Sequence, residues 1–194
     1  MTRKEFIGSF AAIIVATCVP DILLGGQRRS FFIRPPGSFD EKIFPSLCIR
    51  CGQCIRSCPA RCLSQVSIVD SLRAWATPEI IPRKKGCILC QNCGRVCPTN
   101  AIRVVRDDLI KIGTARIYQD ICLVWTHQKE CLICLEYCPV QAIYLDQEGR
   151  PCVNFEVCTG CGLCEENCPV VGKKAAIRVT NWGERRVRIG EQYK

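Results

Sequence analysis

Apolar residues in this chain mostly come in short runs, not in long periodic stretches. Ala101-Ile102-Arg103-Val104-Val105 and Ala142-Ile143-Tyr144-Leu145 are two such runs, each just after a Cys-Pro pair. The second is followed by the turn-forming Gln147-Glu148-Gly149-Arg150-Pro151. Runs this short, closed by turn residues, predict short strands and hairpins. Short helices are expected to start near the last cysteine of each cysteine group, which makes the fold class α+β.

One apolar stretch, Phe6 to Pro20, is longer, with Arg3 and Lys4 before it and Gln27-Arg28-Arg29-Ser30 after it. It falls short of the roughly 20 residues that cross a bilayer comfortably, so residues 1–30 are expected to form an export signal or membrane anchor. Thr2-Arg3-Lys4-Glu5-Phe6-Ile7 resembles a twin-arginine export signal with Lys4 in the place of the second arginine. An uncleaved anchor is the first expectation, and lipidation at Cys18, after Val15-Ala16-Thr17, is the alternative. Residues 31–46 contain Ile33-Arg34-Pro35-Pro36-Gly37-Ser38, whose prolines and glycine exclude helix. They predict an extended linker arm leading to a cysteine-rich region over 47–194.

Composition sharpens this picture through cysteine. The chain has 194 residues, 48% of them hydrophobic, and nineteen are cysteine. So cysteine-rich a chain needs covalent or metal cross-links to support a modest core. Disulfide frameworks scatter their cysteines through loops, whereas here they form tight groups. Group one is Cys48, Cys51, Cys54 and Cys58-Pro59; group two is Cys87, Cys90, Cys93 and Cys97-Pro98. Group four repeats the spacing with Cys158, Cys161, Cys164 and Cys168-Pro169. Group three keeps Cys131, Cys134 and Cys138-Pro139 but has Gln128 at the first position. Cys122 is the expected substitute, with Leu123 to Glu130 looping out.

A Cys-x2-Cys-x2-Cys run with a trailing Cys-Pro is the ligand pattern of bacterial ferredoxins. Three thiolates come from one run, and the fourth comes from the Cys-Pro of the partner group. The sixteen grouped cysteines therefore predict four 4Fe-4S clusters in two dicluster-ferredoxin-like modules. The groups pair either in tandem, one with two and three with four, or nested, one with four around two with three. Structural zinc explains a Cys-x2-Cys pair but neither the third cysteine nor the Cys-Pro. Gly52, Gly94, Gly160 and Gly162 stand where backbone is expected to approach the inorganic core closely. Cys62 and Cys152 are left over as small buried hydrophobes, with Cys152 a competitor to Cys122 and His127 a minor alternative ligand.

Charge and motif content exclude other classes. The formal net charge is +9, but ligating cysteines are thiolates, and with sixteen of them around four cluster cores the assembled chain is nearly neutral. That argues against a nucleic-acid partner, which needs a net basic surface. No radical-type Cys-x3-Cys-x2-Cys and no nucleotide-binding glycine loop occurs, so no catalytic residue is expected. Asp107-Asp108 and Glu165-Glu166 read as solvated turns or helix ends. The basic run Arg185-Arg186-Val187-Arg188 reads as a solvated tail, or as one that docks on an acidic partner or a membrane surface.

Arg34-Pro35-Pro36-Gly37 followed by Cys48-Ile49-Arg50-Cys51-Gly52-Gln53-Cys54 resembles the MauM/NapG type of ferredoxin. Ile112-Gly113-Thr114-Ala115-Arg116-Ile117, the displaced Cys122 and Cys158-Thr159-Gly160-Cys161-Gly162 extend the resemblance over nearly the whole chain. Group two is compact where that family often has an expanded spacing. The resemblance implies a periplasmic electron carrier on the outer face of the cytoplasmic membrane. With a quinone-linked or cytochrome subunit as partner, it would pass single electrons between the quinone pool or a haem and a terminal enzyme. An assembly factor for a periplasmic redox enzyme is the alternative.

Overall fold

Four-residue helices, strands of three or four residues and one 3-10 turn at Asp107–Leu109 are all the regular structure that the described part of the chain forms. The structure, a computed structural model, describes residues 32–170, 174–188 and 190. The export or anchor segment expected over 1–30 lies outside them. No helix among the described residues is long and apolar enough to cross a membrane.

In chain order the elements are α1 (Phe44–Leu47), α2 (Gln53–Arg56), β1 (Leu63–Gln65), β2 (Pro78–Ile80), α3 (Asn92–Arg95), β3 (Thr114–Ile117), α4 (Ile133–Glu136), β4 (Ile143–Leu145), β5 (Pro151–Val153), α5 (Leu163–Glu166) and β6 (Ile177–Thr180). Helices α2 to α5 each contain the third cysteine of a group and end just before its Cys-Pro, one step earlier than the start near the last cysteine that the sequence predicts. Each therefore turns the chain from the Cys-x2-Cys-x2-Cys loop toward the last sulfur. The strands form three antiparallel pairs: β1 with β2, β4 with β5, and β3 with β6. The first two are the expected hairpins, with Leu63 opposite Ile80 and Ile143 opposite Val153. The third joins distant segments, from Thr114 opposite Thr180 to Ile117 opposite Ile177.

The passage expected as a linker arm is extended, yet it is part of the body. The described residues, from Phe32 onward, form one compact unit, and Phe32, Ile33, Arg34, Ser38 and Phe39 are all buried. Ile33 bridges to Ile80, and Ser38 to Ile102. The run after the second Cys-Pro, expected as a strand of its own, thus takes its partner from the arm: the Phe39 N–H donates to the Ala101 carbonyl and the Arg103 N–H to that of Gly37. The basic tail likewise folds back. Val187 is 1% exposed and bridges to Phe39, and Arg186 donates to the Phe32 carbonyl and pairs with Glu184. An apolar residue between arginines gives the tail a face to bury, which a reading by charge alone passes over.

Arg34 holds the arm down. Its side chain is fully buried and meets the Glu41 carboxylate in a bidentate pair, Nε–Oε2 2.8 Å and Nη2–Oε1 2.5 Å. Nη1 donates to Thr77 Oγ1 and to the Pro78 carbonyl. The guanidinium lies 4.8 Å from the ring centroids of both Phe32 and Phe44, so the cation is held by π faces as well as by oxygens. Truncation of such a group loses charge-assisted hydrogen bonds and packing together. Arg34→Ala is expected to cost about 3 kcal/mol or more in anaerobic guanidinium unfolding, and Arg34→Lys to recover only part, because an ammonium cannot reproduce the fork.

Candidate iron–sulfur sites

The cysteines gather around four hollows of about 300–380 Å³, partly open to solvent. Site 1 has Cys48, Cys51 and Cys54 with Cys97. Site 2 has Cys87, Cys90 and Cys93 with Cys58. Site 3 brings Cys122, Cys131 and Cys134 to Cys168, and site 4 has Cys158, Cys161 and Cys164 with Cys138. Each Cys-Pro cysteine thus crosses to the hollow of its neighbouring group, and the groups pair in tandem, one with two and three with four. The nested arrangement is not the one adopted.

Cys122 reaches site 3 because the insertion after it is anchored. The Cys122 N–H donates to the Tyr118 carbonyl, and Thr126 returns both its N–H and its hydroxyl to the Cys122 carbonyl. Trp125 Nε1 donates to the Pro151 carbonyl, and Arg150 stacks 4.1 Å from the Trp125 ring. Cys152 sits on β5 opposite Tyr144 and lines none of the four hollows. His127, in an exposed turn, lines none either. Cys62 is the sulfur that sequence reasoning placed too blandly. It is buried, lines site 2, and its Sγ lies 3.5 Å from that of Cys58. A hydrogen bond between Cys62 and Cys87 holds the Cys62 thiol protonated, which raises its pKa, and lowers that of Cys87.

The sites have mostly apolar walls and are crowded with sulfur. Burial pushes the Cys54 thiol up to about 11 and those of Cys93 and Cys134 to about 12, and raises Cys48, Cys161 and Cys164. Neighbouring cysteines add to the effect: Cys97 acts on Cys48, and Cys122 and Cys168 on Cys134. Thiolates so crowded require a cationic centre to share. Backbone N–H groups point at sulfur as well, from Leu89 to Cys87, Ala115 to Cys158 and Ala142 to Cys138 at 3.2–3.4 Å. All-sulfur donors, apolar walls and N–H···S bonds suit an iron–sulfur cluster.

Polar residues expected at the surface fix the loops. Glu165 is buried, and its carboxylate accepts the Val179 N–H at 2.6 Å, tying α5 to β6. Desolvation raises its pKa against the opposing pull of that bond and of Arg83 and Arg178. Glu166 accepts from Lys85 Nζ and the Gly86 N–H. Asp107, expected as a solvated turn, accepts from Gln91 Nε2, and the same buried amide exchanges two hydrogen bonds with the Val105 backbone. Gly94 is small for chain packing: a Cβ there would come 2.8 Å from the Arg103 carbonyl carbon.

The arrangement defines the class: a ferredoxin-type iron–sulfur protein built from dicluster units. The 4Fe-4S dicluster domain family matches residues 47–101 and 129–171, the same two segments that the tandem pairing delimits, with Cys122 just outside. Ferredoxin-type protein NapG of Escherichia coli K12 is 32% identical, covering 99% of this chain and 91% of that protein. The methylamine utilization ferredoxin-type protein MauM of Paracoccus denitrificans is 33% identical over 92% and 87%. Its counterpart in Methylobacillus flagellatus is 38% identical over 76% and 67%. The chain belongs to the NapG/MauM family of ferredoxin-type proteins.

Two tests address the residues. Cys122→Ser is expected to lower iron and acid-labile sulfide per chain by about one cluster's share, whereas Cys152→Ser leaves both unchanged; the reverse pattern overturns the assignment. Glu165→Ala leaves the buried Val179 N–H without its acceptor and is expected to cost about 1–3 kcal/mol. Glu165→Gln keeps an acceptor oxygen and loses the desolvated charge, so its unfolding midpoint at neutral pH should stay closer to the parent's.

Proposed function

We propose that this chain is the electron-transfer subunit of a membrane-associated redox complex, relaying single electrons through four 4Fe-4S clusters. Its place is the periplasmic face of the cytoplasmic membrane, held there by residues 1–30 as an uncleaved anchor. Its partner is a quinone-linked or cytochrome subunit. The observation that carries the reading is the set of four cysteine-lined hollows within one compact unit.

A 4Fe-4S cluster held in such a hollow takes up and gives back one electron with no bond to substrate made or broken. The chain's own part is to hold, shelter and tune. Four thiolates per site fix position, apolar walls from residues such as Ile102 and Ile177 keep water out, and the N–H groups of Leu89, Ala115 and Ala142 stabilise negative charge on sulfur. None of these tasks needs a proton donor or a nucleophile. The export reading of Arg3 and Lys4 agrees with a protein whose clusters are inserted before it crosses the membrane folded.

Iron and acid-labile sulfide per chain, with an EPR-monitored redox titration on anaerobically isolated membranes and on the complex solubilised from them, test this. Close to sixteen irons per chain, reducible signals and stoichiometric companion subunits are the expected result. A chain that carries clusters but purifies without companions favours the assembly-factor role. Zinc in place of iron ends the electron-transfer reading.

A further inference from the structure

The two modules meet at their cysteine loops. The Cys87 N–H donates to the Cys161 carbonyl at 2.7 Å, so a residue lining site 2 is hydrogen-bonded directly to one lining site 4. The seam around this bond is tight. A Cβ on Gly86 would stand 2.7 Å from the Leu163 nitrogen, so the backbones approach as closely as glycine permits. Glu166 reaches across to the Gly86 N–H and Lys85, and Arg83 donates back to the carbonyls of Glu165, Cys168 and Val170.

Within each module the sites are joined differently, through the helices that carry their third cysteines: α2, with Cys54, packs against α3, with Cys93, and α4, with Cys134, packs against α5, with Cys164. Sites 1 and 2 are neighbours, and so are sites 4 and 3. Burial follows the same order. Of the eight cysteines at sites 2 and 4, five are buried; of the eight at sites 1 and 3, only Cys54 is. All four at site 3 are half-exposed, and Cys51 at site 1 is exposed.

From this we propose that the sites form one unbranched relay in the order 1–2–4–3, crossing between modules through the Cys87–Cys161 hydrogen bond, with sites 1 and 3 as the two terminals where electrons enter and leave. This rests on the cluster reading above. At the crossing, one electron lost at site 2 is gained at site 4, or the reverse, with no proton moved. The terminal sites carry the more exposed cysteines, and the inner pair the more buried ones. Sequence order does not give this path, since it places group three between groups two and four.

The test is EPR of the fully reduced full-length chain lacking both terminals, made with Cys48→Ser and Cys51→Ser at site 1 and Cys122→Ser and Cys131→Ser at site 3. The two remaining clusters are expected to show spin–spin splitting, since sites 2 and 4 are adjacent. Two magnetically isolated spectra, with iron for two clusters present, overturn the order. Should that variant not fold, Gly86→Val in the chain with all its cysteines serves instead. It wedges the seam, and it should reduce the coupling between sites 2 and 4 at unchanged iron content. Unchanged coupling counts against the path. A parent chain without iron would fail the cluster reading itself, a result distinct from a wrong order.

Discussion

Sulfur shared around a common centre is what this fold depends on. Helices of four residues and strands of three or four lie far below the length at which such elements persist alone, and only small sheets of two strands form. Much of the buried core is cysteine: Cys54, Cys87, Cys93, Cys158 and Cys164 belong to the same apolar cluster as Ile80, Ile102 and Ile177. The hollows thus lie within the core. Desolvated thiols that repel one another as thiolates make poor packing unless a cationic centre gathers them, so binding and folding are one free-energy change. The protein part of the core then has a smaller task, which is to hold loops at the right distance from each other.

That task falls to a few buried polar residues. Arg34 fastens the arm, Gln91 fastens the group-two loop to Val105, and Glu165 fastens α5 to β6. Each satisfies backbone or side-chain groups that strands this short leave unpaired. Arg83 does the same for carbonyls in the last turn of α5 and beyond it.

The repeat was readable because ligand chemistry imposes spacing on sequence directly. Cys-x2-Cys-x2-Cys with Cys-Pro marks the loops, and the short apolar runs mark the hairpins. Cys122 was found because Gln128 stands where the first cysteine of its group belongs, a gap that a looped insertion repairs. What stayed hidden depends on contacts between distant residues. The choice between tandem and nested pairing turns on which Cys-Pro crosses to which hollow, and either satisfies the same spacing. The arm was extended as its prolines require, but its burial came from Ile33, Phe39 and their partners Ile80 and Val187, at separations no local pattern reports. Glu165 and Glu166 look like solvent-facing charge until the strand and seam they bind are known. Cys62 differs from any small buried residue only through its nearness to Cys58 and Cys87.

The bridge between Phe39 and Val187 also orders events in time. Phe39 leaves the ribosome well before Val187, the bridge residue that completes its pairing. The first module can gather its cysteines while synthesis continues, but its outer edge stays open until the tail arrives. Until Val187 arrives, the Ser38 carbonyl and the Asp40 N–H have no partner on that side, so the outer edge of the arm is the last part of the first module to be paired.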